Sequence, residues 1–179
     1  MAEARTSVKV GWLAANRAAV KFVVGFGVWI AVFSVLLVIP WFEATVVVPM
    51  TEMIANVSAV LIRLLGFDVS VSGTIISGVE GFSVNILKGC NGAYVIAIYL
   101  SAVLAFPSTW RQKAVGALIG IPAVQTINLG RIVSLYYVGL EHPSLFERFH
   151  YHVWQTVVIV LSMVVWIVWA EICLRRAGR

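Results

Sequence analysis

Apolar residues fill four long runs of the chain, separated by polar stretches of unequal length. A helix needs roughly 20 mostly apolar residues to cross a bilayer, and each run has that length or comes close to it. The runs cover residues 20–39, 91–106, 114–138 and 153–174. We therefore predict four transmembrane helices, with one long connection at 41–89.

The long connection carries a helical pattern of its own. A stripe of outward positions recurs at three- and four-residue spacing along the otherwise apolar segment 46–65, at Glu52, Asn56, Ala59 and Arg63. Such a stripe fits an amphipathic helix on the membrane surface or a fifth span. We favour the surface helix because a fifth span would carry Glu52 and Arg63 into lipid.

The pattern changes again before the second span. Apolar residues alternate there with polar ones around several glycines, at Val69, Val71, Phe82, Val84 and Ile86. A period of two is typical of strands, so we predict a small hairpin or two short strands. The predicted fold class is an all-α polytopic membrane protein. It has about four transmembrane helices, an external amphipathic helix and a small β-hairpin-like segment, in a single domain over 1–179.

Composition supports a membrane protein. Of the 179 residues, 61% are hydrophobic and 12% are charged, and the mean hydropathy is +0.96, which lies far outside the range of soluble globular domains. The net charge of +5 could suggest nucleic-acid binding, but the placement of the basic residues argues against such a partner.

The basic residues concentrate on one side of the predicted membrane. If the four spans alternate, nine of the 13 lie together, at Arg5, Lys9, Arg17, Lys21, Arg111, Lys113, Arg175, Arg176 and Arg179. The positive-inside rule makes that side, with both termini, cytoplasmic. The connections 41–89 and 139–150 then face outward from the inner membrane. No small-x-small cleavage site follows the first span, so we expect a retained anchor rather than a removed signal peptide.

A cysteine opens the second span, in the stretch KGCNGAY. The amino-terminal end of the following helix and the nearby Lys88 would both lower the pKa of the Cys90 thiol. Gly89 and Gly92 would let another backbone approach. A lone membrane cysteine is also compatible with a small buried apolar residue. Cys173 fits that description, and it lies a membrane thickness away, too far for a disulfide with Cys90.

The third span contains a buried positive charge. Gln125, Asn128 and Arg131 are three residues apart and therefore share one helical face. If the helix ends at Gly139, Arg131 lies about 12 Å below the outer surface. A charge at that depth usually marks a functional polar cavity. The alternative is an arginine that reaches outward, or one held by a structural acid such as Glu80.

The fourth span opens with FHYHVWQ, which places His150 and His152 at its external entrance. Either histidine alone could be a polar residue at headgroup level. However, the predicted topology brings a cysteine, an arginine and a histidine from three spans to the same depth. We interpret this coincidence as one site.

These residues resemble the motifs of the exosortase/archaeosortase family. That family has a C-S/N-G motif opening one span, an N-x-x-R motif in the next and a histidine opening the last. The matching positions run in the same order, as Cys90-Asn91-Gly92, Asn128 to Arg131, and His150 or His152. The resemblance extends from about residue 20 to the C-terminus, and the short length looks most like the compact exosortase H group. We favour His150 because its position resembles the family pattern; the two histidines point about 200° apart on a helix, so only one can face the site.

The resemblance implies a membrane cysteine protease or transpeptidase. Its partners would be secreted proteins with a C-terminal sorting tail, which consists of a short motif, a hydrophobic span and a basic cluster. Membrane lipids and an acceptor nucleophile of unknown identity would be further partners. The enzyme would cleave at the motif and transfer the new C-terminus to the acceptor, without a metal or cofactor.

The three groups suit that chemistry. Cys90 would form a thioester, His150 would move protons, and Arg131 would stabilise the oxyanion and lower the pKa of the thiol. We expect Asn128 to orient Arg131, with Asn91 and Lys88 as further supporting residues.

Other classes of protein explain fewer of these residues. A thiol oxidoreductase needs a cysteine pair, and only one external cysteine occurs. A metal site built from His142, His150 and His152 would leave Cys90 and Arg131 unexplained. A non-catalytic scaffold or transporter subunit with a polar intramembrane site is the remaining alternative.

Overall fold

The computed structural model describes residues 16–79 and 81–177. Some residues used above lie outside these ranges: the basic residues Arg5, Lys9 and Arg179, and Glu80, which was considered as a partner for Arg131. The described chain is mostly helical with a small sheet, as the sequence predicts.

The first half of the described chain contains two long helices and the sheet. In chain order the elements are α1 (Arg17–Val38), the short α2 (Pro40–Phe42), a π-helical segment (Glu43–Val47), α3 (Val48–Leu64), β1 (Val69–Ser72), β2 (Ile75–Gly78) and β3 (Ser83–Asn85).

The second half is helical. It consists of α4 (Ala93–Ala105), α5 (Trp110–Glu141), the short α6 (Pro143–Arg148), a second π-helical segment (Phe149–Val153) and α7 (Trp154–Ala177).

Among the residues that the structure describes, four continuous helical stretches are long and apolar enough to cross a membrane, by length and composition. They are Arg17–Val38, Pro40–Leu64, Trp110–Glu141 and Pro143–Arg175. Three of them overlap predicted spans, whereas the second is the segment for which we favour a surface position. The predicted span at 91–106 forms α4, whose 13 residues make it only about 20 Å long.

One face of α3 is buried against the rest of the protein. The buried residues are Thr51, Ile54, Ala55, Ser58, Ala59 and Ile62. The prediction that Ala59 belongs to the outward stripe is therefore wrong, since this residue is 0% exposed. Its methyl group belongs to the hydrophobic core that α3 shares with Ile132 and Tyr136 of α5.

The β segment forms three antiparallel strands in the order β1-β2-β3, one more than predicted. Ile76 of β2 is paired with Val71 on one side and Val84 on the other, and its side chain is completely buried. The Arg63 guanidinium donates two hydrogen bonds to the Val69 carbonyl, at 2.9 and 2.7 Å. These bonds attach the end of α3 to the start of the sheet.

Helix α5 continues to Glu141. The end at Gly139, from which we predict the depth of Arg131, is therefore wrong. Gly139 is instead a packing position, because a Cβ atom there would lie 2.0 Å from the Phe82 ring. Arg131 is consequently about one half-turn farther from the helix end than predicted.

Glycines also allow close packing at the other end of α5. Gly116 and Gly120 are four residues apart, and a Cβ atom on them would lie 2.6 Å from Trp169 and 2.0 Å from Tyr99, respectively. Small residues at this spacing let helices approach closely in membranes. Helices α4 and α7 therefore pack tightly on α5 at the end of the bundle opposite Cys90.

Candidate functional site

Cys90 lies in a tight turn just before α4. Its N–H donates to the Leu87 carbonyl at 2.8 Å. Gly92, which precedes α4, has a φ of +78°, a left-handed conformation that favours glycine. A Cβ atom at Gly92 would also lie 2.4 Å from Gln125 Oε1. The turn can therefore approach α5 only because residue 92 has no side chain.

The Asn91 side chain fixes this turn from a second direction. Its Oδ1 accepts a hydrogen bond from the Ala93 N–H at 3.0 Å, at the beginning of α4. Its Nδ2 donates to Thr51 Oγ1 of α3 at 2.9 Å. Because Asn91 is only 1% exposed, these bonds hold the turn and α3 together in a buried environment.

The polar face of α5 contacts the same turn. Gln125 Nε2 donates to the Asn91 carbonyl at 3.2 Å, and Asn128 Nδ2 donates to the Cys90 carbonyl at 3.1 Å. Arg131 Nη2 lies 3.8 Å from Cys90 Sγ. The shared face predicted from the spacing is thus present, but Asn128 binds the cysteine turn, whereas we expected it to orient Arg131.

His150 completes the group around the thiol. Its Nε2 lies 3.6 Å from Cys90 Sγ, and its ring stacks on Phe146 with 5.7 Å between centroids. The residue belongs to the π-helical segment, an irregularity that is frequent at functional sites. His152 is exposed, so the structure brings His150, the favoured histidine, to the cysteine.

Four atoms of this group have unused hydrogen-bonding capacity. Within the described part of the chain, no hydrogen-bond partner is present for the buried atoms Arg131 Nε, His150 Nδ1, Asn128 Oδ1 and Gln125 Oε1. Buried polar atoms are normally satisfied. Their presence around one thiol is typical of a site that binds a polar ligand.

Burial dominates the electrostatics of the thiol. It raises the pKa of Cys90, while the Arg131 guanidinium and a backbone hydrogen bond with Leu87 oppose this effect only in part. The expectation of a lowered thiol pKa is therefore wrong. Lys88 does not compensate, because its ammonium group forms an exposed ion pair with Glu43 at 2.5 Å.

The thiol opens into a cavity of about 590 Å³. The cavity contacts Cys90, Arg131 and His150 at one end and continues between α1, α4 and α7. Its deeper walls are mostly apolar, and they include Phe22 of α1 and Trp166 of α7. The side chains of Cys90, Arg131 and His150 thus line the same cavity as an apolar groove inside the bundle.

The structure does not gather the three histidines considered as metal ligands. Between residues 16 and 177, with residue 80 excepted, no three His, Cys, Asp or Glu side chains form a group that could hold a metal ion. His150 instead faces the thiol, and His152 is exposed.

Sequence reasoning missed three residues around this site. Thr51 holds Asn91, and its signal was a hydroxyl on the apolar face of the α3 pattern. Ser162 and Trp166 line the cavity, but among so many apolar residues of α7 nothing in the sequence distinguishes them.

Comparison with known proteins identifies the family. Neither the curated proteins nor the solved structures give a significant match. The family model described as "Transmembrane exosortase (Exosortase_EpsH)" matches residues 7–169, which is most of the chain and includes every residue of the site. The chain belongs to the transmembrane exosortase family.

Proposed function

We propose that this protein is a membrane cysteine transpeptidase or protease that cleaves the C-terminal sorting tail of secreted proteins. Membership of the exosortase family supports a protease or transpeptidase role. The observation that carries the proposal is the environment of one sulfur atom. Cys90 Sγ has a histidine nitrogen at 3.6 Å and an arginine nitrogen at 3.8 Å, at the mouth of an apolar cavity.

The raised pKa of the thiol decides how the first step proceeds. Because Cys90 is protonated near neutral pH, Sγ has to lose its proton as it attacks the scissile carbonyl. His150 Nε2 is close enough to accept that proton as a general base. We therefore favour attack with concurrent proton transfer over a thiolate formed in advance.

The remaining steps follow from the same three groups. The C–S bond forms, the carbonyl oxygen becomes an oxyanion beside Arg131, and the C–N bond then breaks as His150 protonates the leaving amine. The product is a thioester on Cys90. An acceptor nucleophile then gives its proton to His150 and attacks the thioester carbonyl. The C–S bond breaks, the processed protein leaves joined to the acceptor, and His150 returns the proton to the sulfur.

Arg131 is suited to the oxyanion because a guanidinium carries a positive charge and several N–H donors in a fixed planar geometry. It is 3% exposed, and electrostatic stabilisation is strong where water is excluded. Asn128 and Gln125 act as positioning residues, since they hold the carbonyl groups of Cys90 and Asn91.

The charge distribution supports an orientation for this reaction. Basic residues at the ends opposite the site favour cytoplasmic termini in the inner membrane, with Cys90 at the external face. A sorting tail anchored in the same membrane would present its motif at that face. The acceptor could be water, a lipid amine or a sugar, all of which can attack a thioester.

Coexpression with a tagged reporter tests the proposal. The reporter is a secreted domain followed by the C-terminal tail of a secreted protein of the same cell, with an apolar span and a basic cluster. We expect the wild type to shorten it and Cys90→Ala, Cys90→Ser and Arg131→Ala to leave it intact. Cys173→Ala serves as the matched control. Processing at the wild-type rate by all three site variants would contradict the proposal. The mass of the new C-terminus separates hydrolysis from transfer.

A further inference from the structure

Two polar groups lie deep in the cavity without hydrogen-bond partners. Ser162 Oγ and Trp166 Nε1 are buried and unsatisfied among the described residues. Both side chains line the cavity that begins at Cys90. They are four residues apart on α7 and therefore share one face of that helix.

Some comparable groups of the bundle are satisfied within the protein, and the unsatisfied hydroxyls of Ser58 and Ser108 do not line this cavity. Ser101 Oγ donates to the Ala97 carbonyl at 2.7 Å, the usual solution for a serine inside an apolar helix. Trp169 Nε1 donates to the Gln112 carbonyl at 3.1 Å. Ser162 is only 7% exposed, yet it has no such bond. Because unsatisfied buried polar groups destabilise a protein, the pair at Ser162 and Trp166 indicates a missing partner.

The position of the pair limits what that partner can be. Ser162 follows His150 by about twelve residues, which places it about 18 Å along the helix from the thiol. The ester oxygens of a lipid remain at headgroup level, so an acyl chain offers no hydrogen-bonding atom at that depth. A transmembrane peptide helix can offer one, as a Ser, Thr, Asn or Gln side chain.

The walls of the cavity are open to such a helix. Tyr94 and Ile98 of α4 and Ile159 and Met163 of α7 line the cavity and are each about half exposed. The cavity is therefore not closed off by these apolar side chains. A helix in the membrane can enter the groove sideways along them, without crossing a polar layer.

We infer that the groove holds the transmembrane helix of the sorting tail, and that Ser162 and Trp166 hydrogen-bond a polar side chain of that helix about twelve residues beyond the scissile bond. This inference rests on the proposed function. It adds a selection step to that function: the enzyme recognises the tail inside the bilayer as well as the motif outside it. Because the groove is continuous with the thiol, the distance along the substrate between the scissile bond and the recognised polar side chain is fixed.

A positional scan of the tail tests the inference. The tail helix of the reporter is made of leucine with a single asparagine moved along it, and an all-leucine tail is the reference. For the wild type we expect the ratio of the two processing rates to be highest, about three- to tenfold, with asparagine about twelve residues from the cleavage site. Ser162→Ala and Trp166→Phe should reduce that ratio to one. Ser101→Ala, whose hydroxyl is already bonded, should preserve it.

Disulfide crosslinking provides a readout that does not depend on cleavage. Ser162→Cys is combined with Cys90→Ala and Cys173→Ala, and single cysteines are scanned along the tail helix. We expect the strongest crosslink about twelve residues from the scissile bond. A ratio that is flat along the tail, or crosslinks that are equally weak at every position, overturns the inference. If the wild type processes no tail at all, the proposed function fails, and crosslinking still decides whether the groove binds a helix.

Discussion

The two cysteines of this protein occupy opposite environments. Cys90 is partly exposed in a turn, with a guanidinium and an imidazole within 4 Å of its sulfur. Cys173 is 5% exposed and packs in an apolar cluster with Tyr99, Val103 and Trp169. The side chains are chemically identical, so the difference between them lies entirely in the surrounding groups. A cysteine becomes a candidate nucleophile through its neighbours, not through its occurrence in the sequence.

Substitution of each cysteine by alanine should give the largest difference in processing rate. Cys90→Ala removes the nucleophile and should lower processing on the order of a thousandfold or more. Cys173→Ala removes one sulfur atom from the apolar cluster and should leave the processing rate near wild type. Pulse-chase analysis of the tagged reporter measures both, with membrane levels as a check on folding. Equal losses in the two variants would remove the distinction between the two environments.

Removal of the charge beside Cys90 should have the next largest effect. Arg131→Ala should reduce processing by about a hundred- to a thousandfold, because one oxyanion-stabilising group is lost. Arg148→Ala is the matched control, since this arginine is exposed at the end of α6. The same pulse-chase assay applies. A small effect at Arg131 would mean that another group stabilises the oxyanion.

Substitution of two glycines should distinguish a defect of the site from a defect of the fold. Gly92→Ala forces a left-handed residue, which costs about 1–2 kcal/mol, and displaces the cysteine turn from Gln125. We expect a large loss of processing with a modest loss of thermal stability.

Gly120→Ala meets the Tyr99 hydroxyl at the opposite end, and overpacking there should cost about 1–3 kcal/mol of stability. Unfolding of the protein in detergent, followed beside processing, measures both effects. Gly130→Ala is the control, because a Cβ atom there meets nothing within 4 Å. If Gly92→Ala and Gly120→Ala affected both readouts in equal proportion, the two ends would not be separable.

The pH dependence of alkylation should give the smallest effect. Since burial raises the pKa of Cys90, its thiolate fraction at pH 7 is lower than that of an exposed cysteine. A membrane-impermeant maleimide should therefore label Cys90 more slowly than an engineered cysteine at the exposed Ser70, with a rate that rises toward alkaline pH. Arg131→Gln should slow labelling further, because Arg131 lowers this pKa. Rapid labelling below pH 7 would instead indicate a preformed thiolate.

The parts of the site that follow from periodicity could be predicted from the sequence. Gln125, Asn128 and Arg131 share a face because helical geometry requires it. The meeting of Cys90 and Arg131 follows from the alternation of the spans. The period of two predicts the strands, but it does not predict that there are three of them.

The parts that depend on distant contacts could not be predicted. Lys88 is next to Gly89 and Cys90 in sequence, but Glu43, 45 residues earlier, determines where its charge lies. The thiol pKa depends on burial, which sequence proximity to a helix end does not reveal. Gly139 resembled a helix end, whereas the Phe82 ring explains its lack of a side chain.

The shortness of α4 has a consequence for the lipid around the enzyme. A helix of about 20 Å cannot match a hydrocarbon core of about 30 Å, so if α4 spans the membrane as predicted, the bilayer beside it has to become thinner. Headgroups and water would then descend to the level of Cys90 on the side where a tail enters. A peptide bond just outside an ordinary transmembrane helix could reach the thiol without the helix having to unwind. We therefore expect the processing rate to depend on acyl-chain length, with thicker bilayers slowing the enzyme.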